Sequence, residues 1–177
     1  MSHITEAPYE WKWVAYGLHG ALQALASLVV GSTNYRLALK GNDDLKSFLE
    51  LVRHACKPGT FRDKDGKPEP DYTRRYVHSK SLELTPLQDK AIGCLHGLRN
   101  RFVHFKPIFS GMDVTGMGQI CLACLSVGRF WAFESGNIWL DPEVHEDWEK
   151  LFDETELHLT RIDARLKAMV EADGAHI

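Results

Sequence analysis

The chain has 177 residues, 44% of them hydrophobic and 25% charged, with five tryptophans. That balance suits one globular domain with a sizeable core and excludes disordered, collagenous and repeat classes. A net charge of −3 excludes a polycation that grips nucleic acid through bulk charge.

Proline and glycine punctuation divides the sequence into five predicted helices. The first runs from about Pro8 to Val30 and stops at Gly31, a residue suited to a left-handed C′ position. Within it Trp11 and Trp13 point to opposite sides, one toward the core and the other toward a dimer contact. The second begins near Asn42 or Asp43 and ends at Cys56 before Pro58-Gly59, with Leu45, Phe48, Leu49, Val52 and Cys56 at helical spacing. A polar linker, 57–84, follows; it is longer than a bundle needs, with room for a short hairpin.

Thr85-Pro86-Leu87-Gln88 is the sharpest local signal: Thr85 as N-cap, Pro86 at the first helical position, Gln88 reaching back as a capping box. The third helix then continues through Leu95 and Leu98 to about Phe105, where Pro107 stops it. The fourth is expected from Asp113 to about Glu134, closed by Gly136-Asn137. The fifth starts at Asp141-Pro142, with Val144, Trp148, Leu151, Thr155, Leu159, Ile162, Leu166 and Met169 as its apolar stripe. No strand alternation of any length occurs, so the fold class is all-α: an up-and-down bundle of four to five helices in one domain, 1–177.

The N-terminal stretch has no basic cluster before its first apolar run and lacks the layout of a secretory signal. Four cysteines are too sparse for a disulfide scaffold, so the expected setting is the cytoplasm. Two apolar stretches, 13–30 and 114–133, carry polar residues (His19, Gln23 and Ser27; Gln119 and Arg129) and read as buried bundle helices rather than membrane spans. Charge is unevenly placed. Residues 62–106 hold ten Lys/Arg against six Asp/Glu, a local +4, and residues 140–177 hold four against eleven, a local −7.

The chemistry concentrates at the end of the third helix, in Leu98-Arg99-Asn100-Arg101-Phe102-Val103-His104-Phe105. Leu95, Leu98, Phe102 and Phe105 form the docking stripe, and Asn100 and His104 share a face, about 40° apart. Arg99 stands about 140° from His104, so only its long side chain brings the guanidinium around. In the last turn, free carbonyls and the helix dipole favour an imidazolium, which suits His104 for proton transfer. Arg99 supplies a positive fork for a phosphate, and Asn100 orients the imidazole or the substrate. Cleavage of RNA by its own 2′-hydroxyl needs a base, an acid and charge stabilisation. One histidine per chain supplies one proton-transfer group, and a two-fold dimer supplies both.

In Arg99, Asn100 and His104 the chain resembles the HEPN superfamily, whose members are small all-α bundles, commonly dimeric, with an Arg-x4–6-His motif late in a helix and a polar residue after the arginine. The resemblance implies a metal-independent endoribonuclease, often a toxin or defence effector, with its active site at a homodimer interface and an antitoxin or other protein as partner. It assigns Arg99 to phosphate, His104 to proton transfer and Asn100 to positioning, with Arg101 and Lys106 steering the RNA backbone; no cofactor or metal is expected. A tyrosine two residues after the histidine marks one branch of the family, and Lys106 stands there instead. The alternative for the same residues is a non-catalytic dimerisation or ligand-binding bundle, in which His104 caps carbonyls and Arg99 pairs with an acid of the fifth helix.

Weaker motifs are set aside. Cys121-x-x-Cys124 is half of a zinc or redox site that Cys94 and His96 could extend, but it sits in an apolar run where buried thiols are ordinary. Asp63-x-Asp65-Gly66 has its glycine misplaced for a calcium loop, and Gly116-x-Gly118 follows no strand. The His19, Gln23 and Ser27 stripe reads either as satisfied core polarity and helix-contact chemistry, the commoner case, or as a face turned to His104 across the bundle.

Overall fold

A computed structural model describes residues 7–33, 48–57, 80–103 and 116–174. Among these residues the protein is all-α, with five helices and no strand: α1 (Ala7–Thr33), α2 (Phe48–Cys56), α3 (Pro86–Val103), α4 (Met117–Arg129) and α5 (Pro142–Gly174). A single π-helical turn, Phe130–Glu134, continues α4, with the Ser135 amide donating to the Phe130 carbonyl at 2.8 Å. Gly136 then takes the left-handed conformation (φ 71°) that ends the helix, a backbone state a side chain would disfavour.

The helix order follows the sequence punctuation, except that α1 continues through Gly31 to Thr33 instead of stopping at that glycine. Thr85 and Gln88 form the reciprocal capping box: the Thr85 amide donates to Gln88 Oε1 at 2.9 Å, and the Gln88 amide donates to Thr85 Oγ1 at 3.2 Å. Gln88 Nε2 also donates to Ser126 Oγ at 3.0 Å, so the cap that starts α3 fastens it to α4 as well. The last residues of the linker form an extended strap. Its Lys80 amide donates to Ser135 O and its Leu82 amide to Cys56 O, both at 2.9 Å. Residues 58–79, with the expected hairpin and Asp63-x-Asp65-Gly66, lie outside the described residues, as does the expected start of α2 at Asn42 or Asp43.

α1 is the helix around which the others gather, meeting α2, α3 and α4. Its inward residues include Trp11, Ala15, Leu22, Ala26 and Val29, and they join Ile92 and Leu95 of α3 and Trp131 of the π-turn in one core. Trp11 is buried, whereas Trp13 is 68% exposed, so the two indoles do part to opposite sides. Within α1, Trp11–Val30 is long and apolar enough to cross a membrane by length and composition, with a mean hydropathy of 1.4. In this bundle that stretch is engaged by three neighbours.

The apolar stripe of α5 differs from the expected one. Trp148, Phe152, Leu159, Ile162 and Leu166 pack on the core, while Val144 and Leu151 are exposed. Leu151 is one residue, about 100°, away from Phe152, and the 4-3-4-3-4 spacing through Phe152 tracks the helix face better than one through Leu151. Arg129, a lone charge in the second apolar stretch, emerges onto α5, where its Nη1 meets Asp153 Oδ1 at 2.7 Å and Glu156 Oε2 at 3.6 Å.

The closest approach of α4 and α5 falls at Gly118. A methyl at that position would stand 2.5 Å from Asp163 Cβ and 2.9 Å from its Cα. Asp163 is itself buried, with Oδ2 held by Lys167 Nζ at 2.7 Å. The two backbones therefore touch only because residue 118 has no side chain, and backbone atoms cannot swing aside. Gly118→Ala is expected to destabilise the fold by about 2 kcal/mol through overpacking. Gly93→Ala, on α3 where a methyl meets nothing within 4 Å, should instead stabilise it by about 1 kcal/mol through helix propensity. Urea unfolding of the two variants reads the opposite signs; equal effects would contradict the contact.

A polar chain at the α1–α3 seam

The described part of the motif lies in the last turns of α3. Arg99 Nη1 donates to Asn100 Oδ1 at 3.0 Å, and Asn100 Nδ2 stands 3.0 Å from His96 Nε2, one turn back on the same helix. His96 Nδ1 is in turn 3.1 Å from His19 Nε2 of α1. Four side chains thus form one continuous polar line from the half-buried guanidinium to the interior of the seam. Both imidazoles lie against Phe48 of α2, with ring centroids 3.9 Å from His19 and 5.4 Å from His96. Leu95, fully buried, and the partly buried Leu98 and Phe102 hold this face of α3 to the core as the sequence stripe predicts.

Helix geometry explains the grouping. His96 and Asn100 are four apart and share a face of α3, while Arg99 is flanked by Asn100 and needs only to curl its stem to reach it. His19 projects into the seam between α1 and α3, beside the apolar Leu22. Burial, the neighbouring His96 and the Arg99 cation lower the His19 pKa from its ordinary value to about 4. His96 is also pushed down, by burial first and then by Arg99. Both rings are therefore neutral at pH 7, and neutral rings are the form such a chain accepts.

Several sequence expectations change here. The partner of His19 is His96, a residue that sequence reasoning considered only as an auxiliary metal ligand. Gln23 is exposed, and Ser27 donates to the Gln23 carbonyl of its own helix at 2.7 Å, so neither joins the seam. Asn100 orients an imidazole, as expected of it, but that of His96. His104, Phe105 and Lys106 lie outside the described residues; Arg101 is exposed. Among the described residues no carboxylate pairs with Arg99, in contrast to Arg129 with its two acids on α5.

The cysteines have a different character. All four are free thiols, and Cys56, Cys121 and Cys124 are buried. Burial pushes Cys56 and Cys121 up to about 12 and Cys124 higher still, so none of these three is a thiolate ready for metal or redox chemistry near neutral pH. Among the described residues no group of three or more His, Cys, Asp or Glu side chains converges as a metal site. The two nitrogens of His96 are engaged by His19 and Asn100 rather than turned to Cys94.

Comparison with protein-family models, with curated proteins and with solved structures finds no match to this chain.

A buried neutral histidine ties stability to pH. In the unfolded chain His19 takes up a proton near its ordinary value of 6.5, and in the fold only near 4. The unfolded state thus binds more protons between these limits, and the stability contribution present above pH 6.5 is lost as pH falls through that window. Its size is about 3 kcal/mol. Urea unfolding across pH 7.5 to 4 should show this decline, and His19→Gln, which cannot titrate, should flatten it. An unchanged slope in the variant would contradict the assignment.

Proposed function

We propose that this protein is a HEPN-like helical bundle acting as a metal-independent endoribonuclease, with an active site completed by a second copy of the chain across a two-fold axis. The observation that carries this reading is the state of Arg99. It is a guanidinium near the end of the third helix, held in place by a neutral amide while no described carboxylate neutralises it. A cation fixed in position with no described acidic partner is suited to a phosphate and to the charge that builds on it during transfer.

In this reaction His104 of one copy takes the proton of the RNA 2′-hydroxyl, whose oxygen attacks the adjacent phosphorus. The bond to the 5′-oxygen breaks, and the second copy's proton donor returns a proton to that leaving oxygen. The products are a 2′,3′-cyclic phosphate and a 5′-hydroxyl. Arg99 stabilises the phosphorane charge, Asn100 fixes Arg99, and Arg101 and Lys106 steer the backbone. A cytoplasmic toxin or defence effector with an antitoxin partner, as the family resemblance implies, fits this chemistry.

The expected result is cleavage of RNA in the presence of EDTA with cyclic phosphate ends. Arg99→Ala and His104→Ala should each lower the rate by about 10²-fold or more with the helical signal intact. Undiminished cleavage in both variants would overturn the reading. The second reading, a non-catalytic dimerisation or ligand-binding module, draws on the inward engagement of Asn100 with His96, and complete absence of cleavage by the wild type would favour it.

The second copy has a natural seat on the outer face of α1. Trp13, Tyr16 and Leu28 are exposed there at 68%, 49% and 51%, and 13–30 contains no Asp, Glu, Lys or Arg. The charge that lies against this face is the Lys12 ammonium over the Trp13 ring at 5.4 Å, and aromatic anchors of this kind dominate interface energy. Trp13→Glu is expected to convert a dimer to a monomer in sedimentation equilibrium without loss of helicity. A dimer of unaltered affinity would place the interface elsewhere.

A further inference from the structure

We infer that His96 and His19 are positioning residues, which aim the Arg99 guanidinium through a one-way hydrogen-bond chain that holds only while both rings are neutral. The direction of the chain follows from its first member. A guanidinium has donors and no acceptor, so the Asn100 atom facing Arg99 Nη1 at 3.0 Å must be the carbonyl oxygen. The Asn100 amide NH2 then faces His96 Nε2 at 3.0 Å and donates to it, which leaves that nitrogen unprotonated. The proton of a neutral His96 therefore sits on Nδ1 and is donated to His19 Nε2 at 3.1 Å, which in turn places the His19 proton on its own Nδ1. Every bond points inward from the cation, and each reinforces the next.

Adding a proton to His96 breaks this order. Nε2–H would confront the amide NH2; the amide must turn over to offer its oxygen, and Arg99 then loses its acceptor. A proton on His19 Nε2 likewise opposes the Nδ1–H of His96. The facing groups set where this happens. α1 presents His19, α2 the uncharged Phe48 ring with Glu50, Arg53 and His54 exposed, and α3 itself Asn100 and Arg99. α4 carries buried thiols and one charge, Arg129, which is turned to Asp153. Among the described groups the nearby charge is thus the Arg99 cation, which together with burial disfavours the extra proton on both rings. The chain is intact at neutral pH and opens on acidification below the ordinary histidine range.

Nitrogen-15 spectroscopy of the full-length protein tests this without reference to activity. At pH 7.5 both rings should be in the Nδ1–H tautomer, the reverse of the usual preference in solution, and the Arg99 guanidinium should show slowed rotation. His96→Leu should release Arg99, and His96→Gln, an amide that both accepts and donates but cannot titrate, should restore it and leave only the acid dependence that His19 contributes. An Nε2–H tautomer for His96, or Arg99 dynamics unmoved by His96→Leu, overturns the inference. The consequence for RNA cleavage rests on the proposed function: His96→Leu should lower it by about 10²-fold, as mispositioning of a catalytic group does. His96→Gln should retain it. The expected spectra without cleavage by the wild type would refute the nuclease and leave the positioning chain standing.

Discussion

The bundle is organised by the need to satisfy one polar ring in the middle of its most apolar helix. His19 is buried in α1 among Ala15, Leu22 and Ala26, where an unpaired nitrogen would cost about 1–3 kcal/mol. His96 of α3 meets that need, and in doing so fixes the register of α3 against α1 within a single helical turn. Leu95 on α3 and Leu22 on α1 then fall into the same core, and Phe48 of α2 closes over both rings. Apolar contacts tolerate sliding; a hydrogen bond at 3.1 Å does not.

From this contact the properties of the motif follow in order. Once His96 is committed to His19 on one side, its other nitrogen is left for Asn100, and Asn100 has its oxygen left for Arg99. The guanidinium is thereby oriented by groups that carry no charge. No described carboxylate pairs with it, in contrast to Arg129, whose pKa is raised by its hydrogen bond to Asp153 and the nearby Glu156. A protein with net charge −3 thus keeps at least one arginine free of described acidic partners, on the basic segment of its sequence.

The parts legible in the sequence are those governed by local rules. The Thr85–Gln88 capping box, the order of the helices, the Gly136 stop and the split between Trp11 and Trp13 all depend on residues within a few positions of one another. The α5 stripe failed at Leu151 because two neighbouring leucine-like positions satisfy nearly the same periodicity, and only the partner helix decides between them. The His19–His96 contact spans 77 residues, and no spacing rule reaches that far. A signal was present nonetheless: a histidine within 13–30, a stretch with no Asp, Glu, Lys or Arg, requires a partner, and His96 stands one turn before Asn100. The π-turn after Arg129 and the touch of Gly118 on Asp163 left no mark that spacing could register.

The strap that carries Leu82 back to Cys56 has a topological meaning. The Leu82 amide bonds to Cys56 O at 2.9 Å, so the strap meets the carbonyl at which α2 ends. The two flanks of the intervening segment are thereby clamped together. The free-energy cost of lengthening such a closed segment grows only as the logarithm of its length. Closure entropy alone therefore sets little limit on the length of chain between Cys56 and Leu82, because the bond that joins its ends holds them at one distance whatever lies between.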